Sequence, residues 1–210
     1  MRNSQEPVLI PVAIHDLRPT QLTIGLREVE RKRRQWREQG DDGGKYLGRH
    51  MIPVVLGPKR RPFVIDHHHL ARALHDEGQQ EVFTTVVADL SLLSREAFWV
   101  FLDNRGWLHP FDQDGKRRDY SAIPKHIGKL ADDPYRSLAG SVREAGGYAK
   151  DAIPFSEFIW ADYFRRRIKR GRLEKRFDET VVAAVSLARS HDASFMPGWC
   201  GEDHDGAPGA

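Results

Sequence analysis

Apolar positions along the chain switch between a two-residue and a three-to-four-residue period, and their order predicts an α+β protein. Residues 8–14, VLIPVAI, read as a strand in which Pro11 marks an edge position or a bulge, because proline cannot donate to an interior ladder. From Thr23 to about Glu38 the period turns helical, with Leu26, Val29 and Trp36 as sparse apolar anchors. Gln39 to Gly44 is a Gly- and Asp-rich break. Met51 to Leu56 gives a second strand, GPKRRP a hairpin-like turn, and Phe63 to Ile65 a short strand. That strand runs into DHHHLARALHDEG, where Leu70, Ala73 and Leu74 share one helical face and Gly78 suits a left-handed cap. Val82 to Leu90, alternating and β-branched, completes a strand–helix–strand unit within a mixed sheet.

The second half is patterned almost entirely for helices. Ser94 caps a helix to Asn104 with Phe98, Phe101 and Leu102 on one face, and residues 108–133 are irregular and polar. Asp133-Pro134 opens another helix, with Leu138 and Val142 at core spacing and Gly146 and Gly147 at its end. Phe155 to about Arg170 carries Ile159, Trp160, Tyr163, Phe164 and Ile168, and Thr180 to Arg189 closes the pattern with Val181, Val185 and Ala188. The expected organisation is a core lobe over 1–92, a helical segment over 93–190 packed on it, and a flexible tail over 191–210.

Composition adds little to this outline: 40% hydrophobic and 30% charged residues in 210 describe an ordinary folding chain. The net charge is only +3, so any affinity for nucleic acid must come from local clusters. Two exist. The helix after Thr23 carries Arg27, Arg31, Lys32, Arg33, Arg34 and Arg37, partly offset by Glu28, Glu30 and Glu38, and its plainer reading is a solvated face. The run from Arg165 to Arg176 is denser, and either complements a helix C-terminus or binds nucleic acid. A single cysteine, Cys200, allows no internal disulfide and suits a reducing compartment. The N-terminal residues read as neither a signal peptide nor a membrane span, so the cytoplasm is the expected location.

Candidate chemistry concentrates where the strand meets the helix, at Asp66, His67, His68 and His69. A helix start offers free N–H groups and the positive end of a dipole, which attract phosphate and disfavour protonated imidazole. Asp66 suits an N-cap, and the histidines should be neutral, as bases or as ligands. Adjacent helical residues diverge by about 100°, so the three cannot all meet one ion. Elsewhere the plainer readings prevail. Trp99 and Trp107 could stack on bases but read as core, and Asp112, Asp114 and Gly115 lack the later acid of a calcium loop because position 123 is Ile. Glu157 and Asp162 have no evident partner.

The pieces VIDHHHLARAL, DDPYRSLAGSVREAGGYAK and FSEFIWADYFRRR, in that order, resemble the ParB-like nuclease family. The strand, His-rich turn and helix alone resemble the core motif of the wider ParB/sulfiredoxin superfamily. There a pattern such as Asp-Gly-His-His-Arg leads into a helix that cradles nucleotide phosphates. The broad likeness spans about residues 8 to 90 and the narrower one extends to about 170. His67 stands at the pattern's Gly, and Leu70 at its phosphate-binding Arg. The resemblance implies a ParB/sulfiredoxin-like mixed sheet with helices, then a helical segment, and a nuclease or other phosphoester-processing enzyme acting on nucleotide or nucleic acid. In that reading His68 or His69 is a general base and Asp66 orients an imidazole or binds a metal. His67, Arg72, Lys45, Arg136 and Lys150 steady phosphate charge, and the ligand is a nucleotide with a divalent metal. A second reading is a non-catalytic nucleic-acid-binding module using the Arg-rich segments. A third takes the histidine turn as only a stable helix entry in a domain that binds a partner protein.

Overall fold

Period-two alternation closes into a four-stranded mixed sheet, Thr23–Ile24 and Ala131–Asp132 form a second, parallel pair, and the helical stretches pack on the larger sheet or on one another. A computed structural model describes residues 10–40 and 43–201, and the chain divides after Asp132 into two compact units. In the first, β1 (Ile10–Ala13) and the two-residue β2 (Thr23–Ile24) precede α1 (Leu26–Arg37) and α2 (Gly43–Arg49). Next come β3 (Ile52–Gly57), β4 (Arg61–Val64), α3 (His68–Asp76), β5 (Glu81–Asp89), α4 (Arg95–Asn104) and β6 (Ala131–Asp132). The second unit holds α5 (Pro134–Glu144), α6 (Ser156–Arg165), α7 (Arg170–Lys175) and α8 (Phe177–Arg189). The mixed α+β class and its helical continuation match the sequence reading.

The sheet order is β1-β5-β3-β4, with Pro11 on an edge strand as its chemistry requires. β5 runs antiparallel to β1 and parallel to β3, so Thr84 lies between Ile10 and Ile52. The hairpin partner β4 is antiparallel to β3, with Val64 opposite Val54. The strands flanking α3 are therefore not neighbours, as a simple strand–helix–strand unit would make them. β3 lies between them, because the tight GPKRRP turn pairs β4 with β3 before α3 can cross over. A bulge between Val54 and Val55 sets Val54 opposite Val86 and Val55 opposite Ala88. Both valines are fully buried, in different cores: Val54 with Leu70 and Leu74 of α3 and Val29 of α1, Val55 with Phe98 and Leu102 of α4.

Helix α3 ends on Gly78 at φ +76, where Gly78 N–H donates to the His75 carbonyl and Gln79 N–H to that of Leu74. Beside that end, Glu77 receives Arg33 Nε at 2.6 Å and Arg37 Nη2 at 2.7 Å from α1. Those hydrogen bonds, Arg37's first, hold its carboxyl down to about 2. Helix α2 was not legible from its sequence, since three of its seven residues are glycine. Tertiary contact overrides the propensity: Tyr46 meets Trp36 edge-on at 5.7 Å and stacks on His50 at 4.0 Å. Asp41 and Asp42 lie outside the described residues.

In the second unit Asp133 caps α5, its Oδ1 accepting from Tyr135 N–H at 2.9 Å while Oδ2 takes Arg165 Nη2 at 2.6 Å. The core gathers around Trp160, fully buried and stacked on Tyr148 at 4.3 Å. Helix α6 stops at Arg165 rather than near Arg170, and α7 follows as a separate turn. Residues from Ser190 onward, read as a tail, fold back as far as they are described. Ala193 and Met196 are buried, Trp160 Nε1 donates to the Pro197 carbonyl at 2.9 Å, and Ala149 N–H donates to that of Gly198 at 2.7 Å. Residues 202–210 lie outside the description. No helix among the described residues is long and apolar enough to cross a membrane.

Two glycines separate packing from propensity. A Cβ on Gly57 would sit 2.5 Å from Phe63 and 2.8 Å from Phe98, whereas one on Gly48 in α2 meets nothing within 4 Å. In urea denaturation Gly57→Ala should lose about 1–3 kcal/mol and Gly48→Ala gain about 0.5–1 kcal/mol.

Candidate functional site

The histidine turn is built by β4 running out at Val64, where Ile65 N–H still donates to the Pro53 carbonyl at 3.1 Å. The next two residues reverse the chain into α3. Asp66 Oδ1 accepts from the His67 N–H at 2.7 Å, and His67 itself is the N-cap, in left-handed backbone at φ 62 and ψ 27. Asp66 thus fixes the turn rather than capping the helix, and no side chain caps α3. The left-handed geometry explains why the superfamily pattern has glycine at this position, since only glycine adopts it without a steric cost. Histidine is among the residues that tolerate it. Its exposed ring contributes one bond, Nδ1 donating to the Met51 carbonyl at 3.0 Å.

His68 points inward. The residue is 4% exposed, and its Nε2 accepts the backbone N–H of Thr20 at 3.2 Å, which puts the proton of the neutral ring on Nδ1. Thr20 Oγ1 donates to the Val64 carbonyl at 2.8 Å, tying the same loop to the end of β4. Burial pushes the His68 imidazole down to about 3, against the opposing pull of Asp66. A ring so poor at holding a proton, with its lone pair already engaged, is a weak general base.

His69 does the same one position on. It is 9% exposed, and Nε2 accepts the backbone N–H of Gly25 at 3.3 Å, the residue that opens α1. The Glu28 carboxylate lies 3.5 Å from that nitrogen. The two imidazoles therefore staple the irregular stretch from Thr20 to Gly25 onto α3. Leu70, at the position of the pattern's phosphate-binding Arg, is buried in the core.

The structure brings Asp66, His67, His68 and His69 together and assigns the remaining candidates differently. Arg72 donates from Nε to both Asp76 oxygens, at 3.0 and 2.9 Å, and from Nη1 to the Leu130 carbonyl at 3.0 Å, so its guanidinium is committed one turn beyond the helix start. Lys45 is an exposed residue of α2. Arg136 and Lys150 belong to the second unit: Arg136 is buried, 3.8 Å from Glu157, and Lys150 is exposed. Among the described residues no group of three or more His, Cys, Asp or Glu is placed to hold a metal ion. Thr20, Gly25 and Glu28 are the partners that sequence reasoning missed. They lie 48, 44 and 41 residues before their histidines, and no local pattern links them: Thr20 and Gly25 are tied by the need of a buried N–H for an acceptor, and Glu28 follows from the first turn of α1.

The strongest basic surface lies in the second unit. Between 165 and 176 eight residues are basic and one is acidic. Arg165, Arg170 and Arg176 pair with Asp162, Glu174 and Glu179, and Arg167 covers the Tyr163 ring at 3.7 Å. Arg166, Lys169, Arg172 and Lys175 are exposed and have no ion-pair partner among the described residues. On α1 more of the charge is paired: Arg31, Arg33 and Arg37 are tied to Glu28, Glu30 and Glu77, and Lys32 and Arg34 have no ion-pair partner among the described residues.

Residues 10–166 match a family described as "Putative ParB-like nuclease". Among solved structures the chain is similar to protein Atu1540 from Agrobacterium tumefaciens. The two are 52% identical, the match covers 93% of this chain and 99% of that one, and the TM-score is 0.88. No curated protein matches the chain.

The staple has a pH signature. Below pH 6.5 the unfolded chain takes up a proton on the His68 imidazole that the folded chain refuses until about pH 3, so stability is lost as pH falls through that window. Unfolding free energy, followed between pH 6.5 and 5 where carboxylates stay ionised, should drop by up to about 1.4 kcal/mol per pH unit, and His68→Gln should flatten that slope. At the neighbouring position His67→Gly should change stability by less than about 1 kcal/mol, whereas His67→Val should cost about 1–3 kcal/mol. Equal losses in both variants would mean that the ring, not the backbone, sets the value of this position.

Proposed function

The chain belongs to the ParB-like nuclease family, and on that premise we propose that it binds nucleic acid electrostatically through the basic surface around α7, with the histidine turn serving as framework. The observation that carries this reading is the division of labour among polar groups. The His68 and His69 rings each accept a buried backbone N–H, whereas Arg166, Lys169, Arg172 and Lys175 remain exposed without a partner among the described residues. Unpaired cations on one segment are what phosphate needs, since each neutralised phosphate releases counterions and makes binding salt-dependent. Arg172 and Lys175 stand three apart on α7, on the same side, while Leu173 between them is buried and anchors the helix. The family match ends at Arg166, so support for this surface comes from its charge pattern rather than from the family.

One observation favours a catalytic reading beside it. Glu28 lies 3.5 Å from His69 Nε2, so a proton arriving on that nitrogen, in place of the Gly25 N–H bond, would be stabilised by a neighbouring carboxylate. In this second reading phosphoester cleavage runs through His69, and His68 remains a structural residue.

Fluorescence anisotropy with a labelled single strand and a labelled duplex, each titrated at several salt concentrations, tests the first reading. Neutralising the four cations to Gln should reduce the slope of log K against log salt by about 3, from 0.7–0.9 per lost phosphate contact, and leave thermal stability unchanged. An unchanged slope would remove the surface from consideration. Cleavage of the same strands, assayed with and without magnesium or manganese, tests the second. Turnover that disappears in both His69→Gln and Glu28→Gln, with folding intact, would establish it.

A further inference from the structure

A hollow of about 540 Å³ opens on the first unit, on the face of the sheet that carries Val54. Its floor is apolar. Val54 and Leu56 of β3 and Val86 of β5 point to that face by strand alternation. Its rim is cationic: Arg18 comes from the segment after β1, and Arg60 and Arg61 from the tip of the β3–β4 hairpin, with Asp16 as the one acid in the lining. The volume falls within the range of about 300–1,000 Å³ typical of small-molecule sites.

The three guanidinium groups are unequally occupied. Arg60 Nη1 is 3.0 Å from Asp89, and Arg18 Nη1 donates to the Lys125 carbonyl at 2.5 Å. The Nε of Arg18 is buried with no hydrogen-bond partner, and exposed Arg61 has no side-chain partner among the described residues. The hairpin tip that presents two of the three is itself unusual, with Lys59 at φ 62 and Arg60 at φ 54, a conformation that non-glycine residues adopt at a cost. Forked donors with unused capacity beside a dry floor suit a planar or tetrahedral oxyanion on an apolar body.

We propose that this hollow binds a small organic oxyanion, its carboxylate or phosphate held by Arg18 and Arg61 and its apolar part resting on the half-buried Leu56 and Val86, with Val54 closed beneath them. None of its lining residues belongs to the histidine turn or to the basic run from Arg165 to Arg176, and the proposal does not depend on either reading of the function.

Isothermal titration of the full chain decides it, with phenyl phosphate and benzoate as two head groups on one ring, and inorganic phosphate and benzyl alcohol as the head group and the body alone. At least one of the first two should bind about tenfold or more tighter than either of the last two, and their ranking identifies the head group. The double variant Arg18→Gln, Arg61→Gln should lose at least about tenfold in affinity at unchanged melting temperature. Val86→Trp, which fills the floor and keeps every charge, should abolish binding; if it does not fold, the arginine variant decides alone. Binding should survive neutralisation of Arg166, Lys169, Arg172 and Lys175. The proposal fails if neither ring compound binds, if inorganic phosphate binds as well as they do, or if the arginine variant binds unchanged.

Discussion

Two ring nitrogens that accept backbone N–H groups hold the first unit in register. The stretch from Thr20 to Ile24 is buried almost throughout, with Thr20 and Ile24 fully so, yet only its last two residues join a strand. Buried backbone donors without a ladder or helix to enter must find side-chain acceptors or lose the full cost of desolvation. The neutral imidazoles of His68 and His69 supply them at Thr20 and Gly25, and in doing so set where α1 begins relative to α3. The far ends of the same two helices are joined by Glu77 with Arg33 and Arg37. Neutral acceptors at one end and charged pairs at the other fix both position and crossing, and the apolar contact of Val29 with the α3 face fills the space between.

Periodicity made most elements legible, because apolar alternation and helical spacing report a local geometry that tertiary packing then uses. It also placed the histidine turn at the junction of β4 and α3. What it could not convey was the role of the rings. Whether an imidazole is a base, a ligand or a backbone acceptor depends on what faces it, and here that is a loop more than forty residues upstream. Arg72 is a similar case: its position invites a phosphate role, and Asp76, four residues on, already holds its guanidinium. Helix α2 and the folded residues after Ser190 escaped for another reason. Glycine content argued against the first and weak periodicity against the second, and both are held by tryptophans from elsewhere in their units, the first by the Trp36 ring and the second by the Trp160 indole N–H.

Charge in this chain is informative only locally. A net +3 conceals two arginine-rich helical segments of opposite character. On α1 the acids sit three residues from their arginines or reach across from the end of α3, so Arg31, Arg33 and Arg37 are paired and Lys32 and Arg34 are left over among the described residues. From Arg166 to Lys175 a single glutamate serves the whole run, and four cations remain uncommitted. The distinction follows from acid spacing rather than from the number of arginines.

The acceptor role of His68 and His69 also shapes how the chain opens. Amide hydrogens in loops ordinarily exchange through small local openings, whereas those of core strands wait for larger unfolding events. The amides of Thr20 and Gly25 belong to a loop by conformation but to the core by their bonds, so their release requires α3 to move away, not only a local opening of the loop. The cooperative unit that α3 defines thereby extends into a segment with almost no regular structure.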